Sequence, residues 1–74
     1  LDKKPRIWYT KNMYITLKVI FSPTETVKFK YENFQTDAEV ESFISYLKLL
    51  WALNYKWEKL LIYKNRKLVD TMTQ

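Results

Sequence analysis

Three residue types that carry much of enzyme chemistry are missing from this chain, which has no cysteine, no histidine and no glycine in its 74 residues. Without cysteine there is no disulfide, no thiolate zinc site and no cysteine nucleophile. Without histidine the commonest general base is lost, and without glycine no glycine-rich phosphate loop forms. We therefore expect a protein that is not an enzyme and that uses no cofactor, no metal and no small-molecule substrate.

Long hydrophobic runs are also missing. No uninterrupted apolar run reaches the roughly 18 to 20 residues that span a bilayer, and the first residues lack the apolar stretch of a secretory signal. We therefore expect no membrane partner, and the absence of cysteine makes the cytoplasm the expected location. The length allows one small domain, and a composition of 47% apolar and 18% aromatic residues is typical of a chain that folds.

The first half of the chain has the pattern of a β-hairpin. Odd positions from Met13 to Phe21 are all apolar and even positions are mostly polar, which is the period of a half-buried strand. After turn residues 22–25 the alternation resumes from Val27 to Tyr31. If both apolar sets share one face, odd residues pair with odd residues, so the connection has an odd number of residues, such as 22–24 or 22–26.

A helix is predicted to begin after Thr36 and to run to about Leu53. Thr36 and Glu39 have the spacing of a capping box, in which each side chain accepts a backbone amide near the other. Asp37, Glu39 and Glu41 suit the positive end of the helix dipole, and we interpret them as capping residues rather than as a metal or acid–base site. The core-facing stripe is formed by Val40, Phe43, Ile44, Leu47, Leu50 and Trp51.

A second hairpin is predicted after the helix, with residues 57–63 as its first strand. A two-residue turn at 65–66 pairs Ile62 with Val69 on one face and Tyr63 with Leu68 on the other, and either pair could face the helix. We favour Leu60, Ile62 and Val69 as the inward residues. At turns and at the helix end, asparagine is expected to take the left-handed conformation that glycine usually supplies. The residues concerned are Asn12, Asn33, Asn54 and Asn65.

The order hairpin, helix, hairpin defines the expected fold class, a small single α+β domain with one helix packed on a mainly antiparallel sheet. This order resembles the β-grasp fold over roughly residues 13–72, and the resemblance implies that the first and last strands lie parallel in the sheet centre. It rests on topology and transfers no residue roles. Residues 1–12 are expected to form a basic arm or an edge strand, and residues 13–74 the domain. In the competing architecture, residues 6–9 begin a three-stranded sheet that resembles small DNA-reading proteins in layout.

The most specific functional signal lies on the predicted helix. Leu49 falls nearly opposite the core-facing stripe, with Tyr46 and Leu53 within about 60° of it. A solitary helix carries Lys or Glu at such positions, so an aligned apolar set that continues toward Tyr55 indicates an interaction surface. We therefore predict a non-enzymatic binding module whose protein partner, foreign or a second copy, contacts these four residues. In the alternative interpretation, the segment around Trp8 covers the stripe within one chain.

The charge pattern supports an alternative function. Residues 1–20 carry five basic and one acidic side chain, a balance of +4; residues 43–74 carry six and two, again +4; residues 21–42 carry two and five, a balance of −3. If the first and last strands are neighbours, the basic ends converge on one patch that attracts phosphates, with aromatic residues nearby for base stacking. The candidate residues for nucleic-acid binding are Lys3, Lys4, Arg6, Lys11, Lys18, Lys64, Arg66 and Lys67.

Neither pattern identifies the partner or the source. Lysines on exposed strand faces also serve solubility, which is the simpler explanation of the basic residues. The content of Lys, Asn, Ile and Tyr, together with the absence of glycine, is compatible with an accessory protein of a virus or a mobile element.

Overall fold

The computed structural model describes residues 13–74, which form four strands and one helix. Neighbouring strands are all antiparallel, in the order β2-β1-β3-β4. The expected α+β class, the hairpin–helix–hairpin order and the single helix on an antiparallel sheet are confirmed. The predicted arm or edge strand at residues 1–12 lies outside the described residues. The elements are β1 (Met13–Ser22), β2 (Glu25–Phe34), α1 (Asp37–Asn54), β3 (Lys59–Lys64) and β4 (Lys67–Thr73).

The strand order differs from the β-grasp arrangement. The second neighbour of β1 is β3, which runs antiparallel to it, and β4 lies at the edge of the sheet. The physical reason is hydrophobicity, because β3 buries Leu60 and Ile62 completely whereas β4 is mostly exposed, and central strands carry the most apolar sequences. The three-stranded alternative is wrong, since both hairpins join one sheet of four strands.

The β1–β2 hairpin keeps odd residues opposite odd residues, as expected, with Val19 opposite Val27 and Leu17 opposite Phe29. The turn itself contains only residues 23 and 24, an even number. An irregularity at Phe21 inserts one extra residue into β1 before the turn, and a bulge of this kind shifts the parity of the ladder. The predicted face of each strand is therefore correct, although the connection is a short turn with a bulge.

A second bulge, on β2, changes the face of Phe34. Tyr31 and Phe34 are three residues apart and would lie on opposite faces of a regular strand. Asn33 has a φ of 74° within an irregularity that brings Phe34 opposite Met13. Both rings then pack on Phe43 of α1, with centroid distances of 4.8 Å for Tyr31 and 5.3 Å for Phe34. The left-handed conformation predicted for Asn33 is confirmed.

The β3–β4 hairpin confirms one prediction and corrects another. Asn65 has the predicted positive φ, 58°, and fastens the turn to β1. Its amide donates to the Tyr14 carbonyl at 2.8 Å, and its Oδ1 accepts from the Tyr14 amide at 3.1 Å. However, Ile62 lies opposite Asp70 rather than Val69. The expected inward position of Val69 is wrong, because a bulge at this residue shifts the register and leaves its side chain 44% exposed.

The helix begins and ends close to its predicted limits. Thr36 is the N-cap, and its Oγ1 accepts from the amide of Glu39 at 3.1 Å. The Glu39 carboxylate accepts from the amide of Gln35 at 2.8 Å, one residue earlier than the capping box predicts. Asn54 does not take the predicted left-handed conformation, because the chain leaves the helix at Tyr55 in extended backbone with φ −137°. The Asn54 Nδ2 donates instead to the carbonyl four residues earlier, at 2.8 Å.

The core lies between α1 and the inner face of the sheet, the face that α1 covers. The predicted core-facing stripe of the helix is confirmed, with three members buried and three partly buried. Trp57 of the α1–β3 loop closes the end of the core, and its Nε1 donates to the Trp51 carbonyl at 2.8 Å. In residues 13–74, α1 is too short or too polar to cross a membrane. The buried apolar residues are Met13, Ile15, Leu17, Val19, Val40, Leu47, Trp51, Trp57, Leu60 and Ile62.

Candidate interaction surfaces

Four large apolar side chains lie exposed on and just after α1, and we call them the helix surface: Tyr46, Leu49, Leu53 and Tyr55. Leu49 and Leu53 are 62% and 73% exposed, whereas Leu47, on the other side of the helix, is 1% exposed. In the alternative interpretation from the sequence, the segment around Trp8 covers these side chains, and that segment lies outside the described residues. Isolated exposed leucines are ordinary on protein surfaces, but an aligned set forms a contiguous patch of the kind that marks interaction sites.

The helix surface continues toward β2. The Tyr46 ring contacts Phe43, with a centroid distance of 5.7 Å, and Phe43 in turn packs on Tyr31 of β2. Burial raises the pKa of Tyr31 above its ordinary value of 10.0, and the neighbouring Tyr46 phenol raises it further. On β2 itself, Val27 and Phe29 face the helix side but remain about a third exposed, at 38% and 36%. The exposed apolar surface therefore extends from the helix to the edge strand.

A shallow depression of about 600 Å³ lies at the Tyr46 end of the helix surface. Phe34, Phe43 and Tyr46 provide its aromatic walls, and Glu39 provides its acidic group. The Glu39 carboxylate is already engaged, because it accepts the Gln35 amide at the helix start. In residues 13–74, acidic side chains do not form any group of three that could hold a metal ion. The chemistry of this surface is therefore that of apolar contact.

The opposite flank of α1 is held by two ion pairs. Lys48 Nζ lies 2.7 Å from the Asp70 carboxylate of β4, and Lys64 Nζ of β3 lies 2.5 Å from the Asp37 carboxylate at the helix start. Asp70 reaches the inner face because the Val69 bulge shifts the register. These pairs fix the helix on the β3–β4 side, so the two flanks of the helix differ in character: ionic toward β4 and apolar toward β2.

A second candidate surface lies on the outer face of the sheet, the face away from α1. Lys18 pairs with Lys28 across β1 and β2, and the even positions of β1 from Tyr14 to Ile20 point to this side. The Lys30 ammonium sits 4.5 Å from the centre of the Tyr14 ring, which is a cation–π distance. These side chains surround a concavity of about 260 Å³ that we call the outer hollow. It is lined by Tyr14, Thr16, Lys18, Lys28, Tyr63, Asn65 and Arg66.

The structure brings together only part of the basic set chosen from the sequence. Lys18 and Arg66 both line the outer hollow. Lys64 lies on the inner face, in the ion pair with Asp37, and Lys67 is its exposed partner across the β3–β4 turn. Four members of the set lie outside the described residues: Lys3, Lys4, Arg6 and Lys11.

Sequence reasoning missed Lys28, which lies between Lys18 and the free edge of β2. The signal was available, because a three-residue connection at 22–24 gives the same pairing of residue 18 with residue 28 that the structure shows. Arg66 lies near Lys18 because the neighbour of β1 is β3 and not β4, as the sequence argument had assumed. The β3–β4 turn meets β1 through Asn65 and Tyr14, whereas the sequence argument brought the basic ends together through a β1–β4 pair.

Comparison with known protein families, with curated proteins and with solved structures gave no significant match for this chain. The two surfaces are therefore the features of this chain that indicate a function.

Proposed function

We propose that the protein is a non-enzymatic binding module that contacts a protein partner through the helix surface, in the cytoplasm. The observation that supports this proposal is the exposure of Leu49 and Leu53, 62% and 73%, on the face opposite the core. Burying a leucine side chain contributes about 1.5–3 kcal/mol. That free energy is not used by residues 13–74 and is available to a partner that covers both leucines.

The helix surface is also suited to binding because the opposite side of α1 is packed on the sheet. Leu47 and Trp51 anchor the core side of α1, and the Lys48–Asp70 ion pair holds its far flank. A surface that is ordered before contact loses little conformational entropy when the partner binds. We therefore expect the helix surface to act as a preformed patch.

The first experiment compares alanine substitutions at two leucines of the same helix. Leu49→Ala should change the free energy of unfolding by no more than about 0.5 kcal/mol, as surface substitutions usually do. Leu47→Ala should cost about 2–5 kcal/mol, because it leaves a cavity in the core. Urea denaturation followed by circular dichroism measures both. Equal losses would mean that Leu49 is buried by part of the chain, and the proposal would fail.

The binding experiment then uses Leu49→Lys, with Leu68→Lys as its matched control. Leu68 is an exposed leucine of β4, at 47% exposure, far from the helix surface. Immobilised wild-type and variant proteins are compared in nuclease-treated extract of the source cell. Proteins retained by the wild type and by Leu68→Lys should be lost from Leu49→Lys. Retention of the same proteins by all three would contradict the proposal.

The outer hollow favours a second candidate function, nucleic-acid binding. Two tyrosines, Tyr14 and Tyr63, lie beside three basic side chains, Lys18, Lys28 and Arg66, in one concavity. Aromatic rings that stack on bases and basic groups that neutralise phosphates are the components of single-strand binding surfaces. The acidic residues of the helix start, by contrast, lie on the other side of the sheet. The candidate rests on this combination of side chains.

The test of the second candidate is a salt titration of oligonucleotide binding. Affinity for single-stranded DNA or RNA should fall steeply between about 50 and 200 mM salt, and each basic residue replaced by serine should reduce the salt slope by about one. Lys18→Ser and Lys28→Ser are the test variants, and Lys56→Ser is the control, since Lys56 lies in the α1–β3 loop away from the hollow. Binding that is absent at low salt, or equally weakened by all three variants, would eliminate this candidate.

A further inference from the structure

We infer that the flank of the helix surface that faces β2, Tyr46 and Leu53, is covered by a second copy of this chain, and that the two copies join through antiparallel pairing of their β2 strands. This inference rests on the proposed contact role of the helix surface and names its partner. In the assembly, two four-stranded sheets become one continuous sheet with both helices on the same side.

The two edges of the sheet differ in the features that prevent pairing with another molecule. Edge strands usually avoid pairing with another molecule by being short, by carrying a bulge or by pointing a charge inward. β4 has such features, since Val69 forms a bulge and Asp70 points inward. β2 has ten residues with no proline, and its bulge at Asn33 lies near its end and leaves residues 26–31 regular. Its inward side chains Val27, Phe29 and Tyr31 are apolar or aromatic. Within residues 13–74, β2 pairs only with β1 and its other edge is free. The edge that is open to pairing is therefore β2.

The charges along β2 are complementary when two copies of this strand pair antiparallel. In an antiparallel pair with a two-fold axis at Lys30, Lys28 of each copy lies opposite Glu32 of the other, on the outer face. On the inner face, the same register places Phe29 opposite Tyr31, and cross-strand aromatic pairs of this kind are stabilising. The like pair at the axis is Lys30 with its counterpart, and each Lys30 ammonium already lies 3.2 Å from the Glu32 carboxylate of its own chain. The register centred on Lys30 therefore places opposite charges across the seam at Lys28 and Glu32, with one like pair at the axis.

The position of α1 then brings the two helix surfaces together. The helix lies closest to β1 and β2, on the side of the sheet next to the free edge. Adjacent strands are about 4.8 Å apart, so in the assembly the two β1 strands lie about 14 Å apart and the two β2 strands about 5 Å apart. Helices with their side chains are about 10–12 Å in diameter, so two helices at this separation meet through their side chains. Tyr46 and Leu53 are the residues that fill the space between them.

The first test is a site-specific cross-link, which the absence of cysteine makes simple. Opposite residues of an antiparallel pair have Cα atoms about 4.5–5.5 Å apart, which is within the range that a disulfide spans. Lys30→Cys should therefore give a covalent dimer on mild oxidation. Thr71→Cys, at an exposed position on the other edge strand, is the control and should react only slowly. Equal rates for the two variants would overturn the inference.

The second test is sedimentation of the full chain over a wide range of concentration. The wild type should show a monomer–dimer equilibrium, and Leu53→Lys should raise the dissociation constant about tenfold or more. Leu68→Lys should leave it unchanged, and circular dichroism checks that both variants are folded. A wild type that stays monomeric throughout would overturn the inference, and so would a dimer that is indifferent to Leu53→Lys.

The two proposals fail in different ways. If the wild type is monomeric but Leu49→Lys still loses a captured protein, the helix surface binds a foreign partner and only the second-copy inference fails. If neither self-association nor capture responds to substitutions of the helix surface, the proposed function fails as well.

Discussion

At the scale of single residues, position determines the backbone conformation of two asparagines and the exposure of two leucines. Asn33 and Asn65 take positive φ values where a glycine would be expected, and the chain has no glycine. Asparagine tolerates this conformation because its polar side chain is short. The Oδ1 of Asn65 in addition accepts the amide of Tyr14 on the neighbouring strand β1. Leu47 and Leu49 have the same chemistry and differ only in the side of the helix that they occupy.

Asn33→Ala tests the role of the positive φ in β2. A residue with a Cβ and no local hydrogen-bonding group costs about 1–2 kcal/mol in the left-handed region, so the variant should lose about that much stability. Asn33→Gly is the control and should be nearly neutral, since glycine adopts this conformation without a steric cost. Urea denaturation midpoints give both values. An alanine variant as stable as the glycine variant would mean that the bulge relaxes to a regular strand.

The elements follow local signals closely, and α1 does so most clearly. Its first turn is fixed by the Thr36 cap and by the Glu39 carboxylate, which together accept the amides of residues 39 and 35. Its last turn lacks basic residues, so it has no charge that complements the negative end of the helix dipole. The start of the helix is therefore better stabilised than its end.

Thr36→Ala should cost about 1 kcal/mol, because the substitution leaves the Glu39 amide without its acceptor at the helix start. Thr36→Ser keeps a hydroxyl oxygen and should retain most of that stability. The free energy of unfolding from urea titration measures both variants, with far-UV circular dichroism as a check on helix content. No difference between alanine and serine would indicate that water replaces the cap at no cost.

At the scale of the whole molecule, the two faces of the sheet differ in charge. The outer face carries Lys18, Lys28 and Lys30, whereas the helix side carries the acidic start of α1. Two copies joined through β2 would place both sets of lysines on one face, with Glu32 of each copy among them at the seam, behind a layer of paired helices. In that arrangement, the second candidate function and the second-copy inference are compatible with each other.

Most of the fold was predictable from local sequence patterns, but the register of β4 and the order of the strands were not. Alternation from Met13 to Phe21 and the capping spacing at Thr36 depend on near neighbours, and both gave the right elements. The inward place of Asp70 was not predictable from alternation, because a bulge at Val69 leaves no mark in the pattern of apolar residues. The choice of β3 as neighbour of β1 is decided by burial across the whole sheet.

The two candidate surfaces also differ in how far the sequence predicts them. The exposure of Leu49 follows from the angle between successive helical residues, which the sequence contains. The outer hollow depends on residues from three strands and the β3–β4 turn. The outer hollow forms only when the strands have the observed order. The sequence therefore predicted Lys18 and Arg66 as candidates but not their arrangement around Tyr14.

The seam between β1 and β3 has a consequence for the order of folding. Each hairpin closes over a short turn, but Leu17 meets Ile62 only after a loop of more than forty residues has closed. Loop closure costs entropy before non-local contacts compensate for it. We therefore expect the two hairpins to form early and their association along this seam, with α1 already in place, to limit the folding rate.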